Sequence, residues 1–216
     1  MYRKIVFILI AAVMVLTVVP DAEAKKGFYI GLGATYNTIE GDFNGSAGIL
    51  QNGAEIINLP DIKNDFGIDV LGGYGINDQG AIELNLMSSW HRGRWSGQLG
   101  DVSYTSFSVN GKYSFLSSSM VQPYLLFGIS GNSLLINHGS RNTSTGEVGD
   151  ATLSGPGANF GAGIDAYLTP HVSLTLGTMY RYVDYTDASG VDHSGTIDDR
   201  LNGSGFSFML TTAYHF

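Results

Sequence analysis

Alternation of apolar and polar residues recurs in eight stretches of the 216-residue chain and predicts eight β-strands. In the last stretch, residues 206–216, apolar or aromatic side chains fill nearly every second position up to the terminal Phe216. An exposed apolar strand is hazardous at the edge of a soluble sheet because it pairs with other chains. We therefore interpret it as a strand that closes a barrel whose outer face meets lipid. The other seven predicted strands cover residues 27–37, 65–76, 81–91, 102–115, 121–135, 157–168 and 171–185.

The connections between these strands alternate in length, which favours a transmembrane barrel. Short turns are predicted near residues 77–79, 116–119 and 169–170. Long loops are predicted at roughly residues 39–63, 92–101, 138–153 and 187–200. Short periplasmic turns and long extracellular loops are typical of outer-membrane barrels. Strands of about ten residues also match the length that a tilted strand needs to cross the hydrocarbon.

The composition agrees with this interpretation and excludes several kinds of site. Charged residues make up 14% of the chain, well below the roughly 25% that is usual for soluble domains. The chain contains 30 Gly and no Cys, so disulfides, thiolate metal sites and cysteine nucleophiles are excluded. A formal net charge of −8 argues against nucleic acid as a partner.

Residues 1–24 have the pattern of a secretory signal peptide. Arg3 and Lys4 precede an apolar run, residues 5–19, which is too short to span a bilayer as a helix. The small residues Ala22 and Ala24 then flank Glu23 at a plausible cleavage site. We expect export through the inner membrane, and a mature barrel domain at residues 25–216.

Three segments carry a resemblance to a known family: QPYLLFGI at residues 122–129, GAGIDAYLTP at 161–170, and the ending YHF. The chain resembles the small eight-stranded outer-membrane barrels, namely the OmpA-type transmembrane domain and its OmpX- and OmpW-like relatives. This resemblance implies an all-β, antiparallel, up-and-down transmembrane barrel in the outer membrane of a Gram-negative bacterium. We expect a monomer without a cofactor.

The end of the chain also resembles the assembly signal of such barrels, in Leu210, Tyr214 and Phe216. This resemblance implies that periplasmic chaperones and the outer-membrane assembly machinery are partners of the unfolded chain. It also implies that outer-membrane lipid and lipopolysaccharide surround the folded protein.

The barrel interior is predicted to contain charged residues that neutralise one another. The residues on the inward face of the predicted strands include Asp69, Glu83, Lys112, Asp165 and Arg181. A buried charge must be paired or it destabilises the fold. Counting from the turns, we expect Glu83 to pair with Lys112, and Asp69 with Arg181. Such a network is either a gate for small ions or a structural plug, and we favour the plug.

The loops offer candidate contact surfaces. Arg92, Arg94 and Trp95 follow a predicted strand directly and suit the phosphate-bearing interface of the outer leaflet. The first long loop contains apolar residues that either cap the barrel mouth or receive a hydrophobic small molecule, and we prefer the cap. Clustered carboxylates in the first and fourth loops are compatible with divalent cations, but a solvated surface explains them more simply, so no metal site is predicted.

The sequence offers no catalytic motif. No two of the five His have metal-ligand spacing, and none falls in a defensible motif with a serine and a carboxylate. Ser88 and Trp90 are predicted to face lipid while His91 faces inward, which opposes a lipid-cleaving site. We expect no enzyme. The expected role is envelope integrity and contacts of the loops with lipopolysaccharide or a host, and the alternative is a narrow conduit for small hydrophobic or ionic solutes.

Overall fold

The computed structural model describes residues 26–43, 48–52, 55–95, 98–191 and 194–216. This part of the chain forms antiparallel β-strands and one short 3-10 turn at Gly41–Phe43. The strands, in chain order, are β1 (Gly27–Asn37), β2 (Gly48–Asn52), β3 (Glu55–Leu59), β4 (Asp61–Ile62), β5 (Asp65–Gly75), β6 (Gly80–Trp95), β7 (Gln98–Ser114), β8 (Val121–Asn142), β9 (Val148–Thr169), β10 (Val172–Ser189), β11 (Ser194–Asn202) and β12 (Gly205–His215). Among the described residues, no helix is long and apolar enough to cross a membrane.

Eight of these strands form a closed ring, so the predicted eight-stranded antiparallel barrel is confirmed. The order around the ring is β1, β5, β6, β7, β8, β9, β10 and β12, each paired with the next. The last strand, β12, pairs with β1 from Tyr29 opposite His215 to Asn37 opposite Ser207. The ring therefore leaves no free edge among its eight strands, which is how a sheet satisfies its backbone groups within lipid.

The outer face of the ring is apolar and ends in aromatic residues. Because successive side chains of a strand point to opposite faces, the apolar set of each predicted strand lies outward together. Phe28 packs edge-on against Tyr74 near the short turns, with ring centroids 4.8 Å apart. Tyr36 packs similarly against Phe66 near the other end, at 5.2 Å. These aromatic residues mark the two boundaries that lipid-facing barrels have.

Tyr36 and Phe66 mark the upper aromatic boundary. Beyond it, the inward and outward faces of the strands exchange polarity. In β7 to β10 the inward positions become apolar and buried, while the outward positions become polar. The inward apolar residues are Val102, Tyr104, Leu134, Ile136, Ala151, Leu153, Val183 and Tyr185. The upper third of the barrel is consequently built like a water-soluble β-structure, with its hydrophobic core inside.

The first long connection folds over this core and closes the barrel mouth. Its strand β3 pairs with β8 through Glu55 to Ile57, and β4 pairs with β6. Five of its apolar side chains are buried in the same cluster, namely Ile39, Phe43, Ile57, Leu59 and Ile62. We call residues 39–43 and 55–62 the extracellular cap. The side chains of Ile49 and Leu50 lie outside the described part of the structure.

Three predicted loops are largely strand, which corrects the sequence analysis. β6 and β7 continue as a hairpin to Trp95 and Gln98, and β8 and β9 continue to Asn142 and Val148. β10 and β11 cover most of the fourth loop. The predicted strands end at their last outward apolar residues or a few residues beyond them, whereas the backbone pairing continues further past the membrane boundary. The predicted signal peptide, residues 1–24, lies outside the described residues and stays a prediction.

Candidate functional site

The lower part of the barrel interior is organised around Lys112. Its Nζ lies 3.2 Å from Glu83 Oε1 and 2.8 Å from Asp165 Oδ2, and 4.3 Å from the ring centroid of Tyr124. In the strand register, Lys112 faces Ala81, so Glu83 is its diagonal neighbour on β6. Asp165 lies two strands away on β9 and is reached because the Lys side chain is long.

Both carboxylates of this cluster accept a further hydrogen bond. Tyr29 donates from its hydroxyl to Glu83 Oε1 at 2.7 Å, and Thr175 donates from Oγ1 to Asp165 Oδ1 at 2.6 Å. A buried ion pair is tolerated when its remaining polar atoms are also bonded. The sequence analysis did not identify Tyr29 and Thr175 as partners of these carboxylates, although the alternation predicts that both side chains face inward.

The predicted pairing of Asp69 with Arg181 is wrong. Asp69 instead accepts hydrogen bonds from Asn85 at 2.6 Å and Thr211 at 3.4 Å. Arg181 donates from Nη2 to the carbonyl oxygen of Thr38 at 3.1 Å, and its Cζ lies 4.4 Å from the ring centroid of Tyr104.

The register explains why these two charges do not meet. Both residues can be placed along β12 by following the strand pairing. Asp69 pairs with Gly33 of β1, and Gly33 pairs with Thr211 of β12. Arg181 pairs with Gly205 of the same strand. Six residues of β12 separate those two positions, or about 20 Å at roughly 3.3 Å per residue. Counting residues from the nearest turn measures depth along one strand, but it ignores the stagger that closure of a barrel imposes between strands.

Between the Lys112 cluster and Arg181, the lumen is filled by methionine and amide side chains. Met87, Met179 and Met209 are buried inside the ring. Asn159 donates to Asn110 at 3.1 Å, and Asn110 donates in turn to Ser108 at 3.0 Å. Unbranched Met side chains fill irregular gaps well, so they close the space that the stagger leaves.

Two small cavities lie in the described part of the lumen. A cavity of about 40 Å³ lies at the periplasmic end beside Tyr29, Lys112 and His215, and one of about 20 Å³ lies beside Asp69 and the methionines. A cavity must have a volume of roughly 10–15 Å³ to hold one water molecule. Each of these two cavities therefore accommodates a few waters at most. In the described structure, buried side chains occupy the interior at the level of the methionines and again beneath the cap.

The histidines of the lumen form hydrogen bonds that the sequence analysis missed. Ser173 Oγ lies 2.8 Å from His215 Nε2, and Ser89 Oγ lies 2.7 Å from His91 Nε2. Each pair faces the interior: Ser89 and His91 are two residues apart on β6, and Ser173 and His215 are diagonal neighbours on the adjacent strands β10 and β12. Within the described ranges, no group of three or more His, Asp or Glu is arranged to hold a metal ion.

The predicted lipid interface lies on β6 above the upper aromatic boundary. Trp90, Arg92 and Arg94 are exposed on the outward face of this strand. Lys63 donates its backbone N–H to the carbonyl oxygen of Arg92 at 2.9 Å and brings a third exposed cation to the same place. Arg92 Nε lies 4.0 Å from Asp65. Trp95 ends β6, and its side chain lies outside the described part.

Two residues of the predicted assembly signal, Leu210 and Tyr214, lie on the lipid face of β12, and the third, Phe216, directly follows this strand. Leu210, Tyr214 and Phe216 are exposed outward, and Tyr214 packs edge-on against Phe216 at 5.2 Å. Phe216 also donates its backbone N–H to the carbonyl oxygen of Phe28 at 3.0 Å, which extends the closure of the ring to the last residue.

Solved structures with the same architecture are small outer-membrane barrels. Neisserial surface protein A is 19% identical, with 88% of this chain and 98% of that chain covered and a TM-score of 0.60. Outer membrane protein W of E. coli is 17% identical, with 92% and 100% covered and a TM-score of 0.52. The attachment invasion locus protein Ail of Yersinia pestis, solved with the heparin analogue sucrose octasulfate, is 17% identical, with 89% and 100% covered and a TM-score of 0.52. At these identities the likeness shows the fold alone.

The sequence itself matches a family model. No curated protein sequence matches the chain at a significant level. The family described as "Outer membrane protein beta-barrel domain" matches residues 7–216, which is nearly the whole chain. Together with the closed eight-stranded ring and its apolar outer face, this match shows that the chain belongs to the outer membrane protein beta-barrel domain family.

Proposed function

We propose that this protein is a closed outer-membrane barrel whose role is structural and whose contacts are made by its extracellular surface. The observation that supports this proposal is the filled lumen. The Lys112 cluster, the methionines and the extracellular cap close the interior at three successive levels. A barrel of eight strands is also narrow enough for side chains to fill. Nothing in the proposal requires catalysis.

Conductance of the refolded mature chain in planar bilayers tests this proposal. We expect no steady single-channel openings in the wild type, because two levels above Lys112 also block the passage. Lys112→Ala is expected to stay closed for the same reason. Steady openings in the wild type whose size changes with Lys112→Ala would show that the Glu83–Lys112 pair gates a real path, and would contradict the closed barrel.

The surface contact supported best is with phosphates of outer-leaflet lipopolysaccharide. Lys63, Arg92 and Arg94 are exposed cations directly above Trp90, at the level where lipid phosphates lie. Arg binds phosphate oxygens through two parallel hydrogen bonds, which makes it well suited to this role. Carboxylates lie among these cations: Lys63 Nζ is 3.1 Å from Asp61, and Asp101 aligns with Arg92 on the neighbouring strand. A lipid phosphate would therefore bind these cations in competition with the carboxylates.

Replacing Lys63, Arg92 and Arg94 together with Gln is expected to lower the amount of lipopolysaccharide retained by the protein. The barrel would be reconstituted in nanodiscs of phosphatidylcholine with a minor fraction of lipopolysaccharide, and bound molecules counted by native mass spectrometry. The loss should shrink as salt rises, because exposed charges are screened. The matched control replaces Arg141 and Arg200, which are exposed on β8 and β11. Equal retention in the patch variant, the control and the wild type would refute the lipopolysaccharide contact.

The alternative function is a narrow conduit for small hydrophobic solutes. The apolar cluster runs from the cap down to Met87, and Met179 and Met209 continue below it. Displacement of the cap would therefore expose an apolar route into the upper barrel. Faster uptake of a hydrophobic reporter by vesicles that contain the barrel than by empty vesicles would favour this function over the closed one.

A further inference from the structure

Arg181 is buried in the upper barrel, and no carboxylate of the described residues pairs with it. Its side chain is 1% exposed, and none of the ion pairs of the described residues involves it. Among the described residues, the guanidinium has one hydrogen-bond acceptor, the carbonyl oxygen of Thr38, which accepts from Nη2. In the described structure, Nε and Nη1 have no hydrogen-bond partner. A buried guanidinium in this state destabilises the fold unless something else satisfies it.

A second unsatisfied donor lies on the same strand. The hydroxyl of Tyr185 is buried and also lacks a hydrogen-bond partner in the described structure. Tyr185 lies on the inward face of β10, beyond the upper aromatic boundary. Burial raises the pKa of Tyr185 well above its ordinary value, and the positive charge of Arg181 opposes this rise. The hydroxyl therefore stays protonated as a donor, within electrostatic reach of the guanidinium.

The groups around these donors are either apolar or already bonded. Tyr104 covers one face of the guanidinium and gives its hydroxyl hydrogen to Asn132 at 2.6 Å. Ser204 accepts from the backbone N–H of Val183 at 3.2 Å, and Thr38 accepts from that of Phe206 at 2.8 Å. Arg181 and Tyr185 therefore present buried donors without partners, and the positive charge of Arg181 acts on the Tyr185 hydroxyl. Such donors are complementary to an anion.

We propose that Arg181 and Tyr185 bind a small inorganic anion of the size of chloride in the folded protein. The anion accepts hydrogen bonds from Nε and Nη1 of Arg181 and from the Tyr185 hydroxyl. A small ion is required because the extracellular cap closes the region above, with Phe43 packed edge-on against Tyr185 at 5.8 Å. Since Arg181 also holds Thr38 at the root of the cap, bound anion stabilises the closed form of the barrel. This site is independent of the lipopolysaccharide contact and of the block at Lys112.

Unfolding of the refolded mature barrel in urea, followed in sodium chloride and in sodium gluconate at equal ionic strength, tests the site. Gluconate is too large to enter. Chloride at 100 times its Kd is expected to lower the unfolded-to-folded ratio of the wild type about 100-fold, with saturation at higher concentration. Arg181→Met should fold, because it removes a buried charge that has no partner, and should lose the dependence on chloride. Arg200→Met, which changes an arginine exposed on β11, should keep it.

Tyr185→Phe provides a second, milder variant. It removes one donor and keeps the ring, so saturation should require more chloride than in the wild type. Crystals soaked in bromide should show an anomalous peak beside the Arg181 guanidinium. Equal dependence on chloride in wild type and Arg181→Met, no dependence in the wild type, an unchanged saturation point in Tyr185→Phe, or no bromide peak would each overturn the proposal.

Discussion

Replacing Lys112 with methionine is expected to lower the free energy of unfolding of the barrel by about 3–5 kcal/mol. Methionine fills much of the same volume but leaves Glu83 and Asp165 without their cation. The side chains of both carboxylates are only 5% exposed, so each is left as a largely buried negative charge without its cation. The change is measured by urea unfolding of the protein in lipid vesicles, monitored by tryptophan fluorescence.

Two further variants make this prediction specific. Lys26→Met removes an exposed lysine whose Nζ lies 3.6 Å from Asp78, and its effect should stay below about 0.5 kcal/mol. Lys112→Met combined with Glu83→Gln and Asp165→Asn removes the whole charged set and should recover most of the loss, since the penalty arises from unpaired charge. A loss below about 1 kcal/mol in Lys112→Met alone would show that the carboxylates find another partner.

Replacing Leu153 with alanine is expected to destabilise the extracellular part of the protein by about 2–5 kcal/mol. Leu153 is fully buried in the apolar cluster that joins the upper strands to the cap. Alanine leaves a cavity in this cluster. The Lys112 cluster lies well below the cavity and is not changed by it. Amide hydrogen exchange should therefore accelerate in the upper halves of β8, β9 and β10, while the amides near Asp165 stay protected.

The control for this prediction uses the opposite face of the barrel. Leu125 is 49% exposed on the lipid-facing side, so Leu125→Ala leaves no cavity in the cluster and should not change exchange above the membrane. Leu153→Met keeps the volume and should cost less than about 1.5 kcal/mol. Uniform acceleration along the whole of β9 in Leu153→Ala would mean that the extracellular part has no stability of its own.

The transmembrane part of the fold could be predicted from the sequence because lipid enforces a simple rule. Outward residues there must be apolar and inward residues polar, so alternation fixes strand, face and approximate length. β1 covers the predicted residues 27–37, and β5 and β12 differ from the prediction by a residue at each affected end. The short turns follow from the same pattern.

The extracellular part was missed because the alternation changes phase instead of stopping. In β7, Phe107 and Val109 are outward, while Val102 and Tyr104, at positions of the other parity, are inward. In β10, Tyr180 and Tyr182 are outward, while Val183 and Tyr185 are inward. A search for alternation in one phase follows each strand at most a few residues past this switch, so the predicted strands 102–115 and 171–185 stop short of the extracellular ends of β7 and β10. The switch itself is readable in the sequence, and it marks the outer boundary of the membrane.

The interior contacts were predictable only between neighbours. Glu83 and Lys112 lie on adjacent strands joined by the pairing of β6 with β7, so their proximity follows from local counting. Partners across the lumen depend on the stagger of the whole ring, which no single strand encodes. Asp165 joining Lys112, and Arg181 remaining without Asp69, are both consequences of that stagger.

The continuation of β9 beyond the membrane determines how far the protein reaches from the cell. From Pro156, at the switch in polarity, to Val148 the strand extends eight residues, or about 26 Å at roughly 3.3 Å per residue. The turn that follows is tied by Asn142, whose Oδ1 accepts from the backbone N–H groups of Ser144 and Thr145 at 2.7 and 3.0 Å. A peptide grafted into that turn would be carried on a stiff two-stranded stalk, clear of the lipid headgroups, which makes this hairpin a natural place for an affinity tag or a displayed antigen.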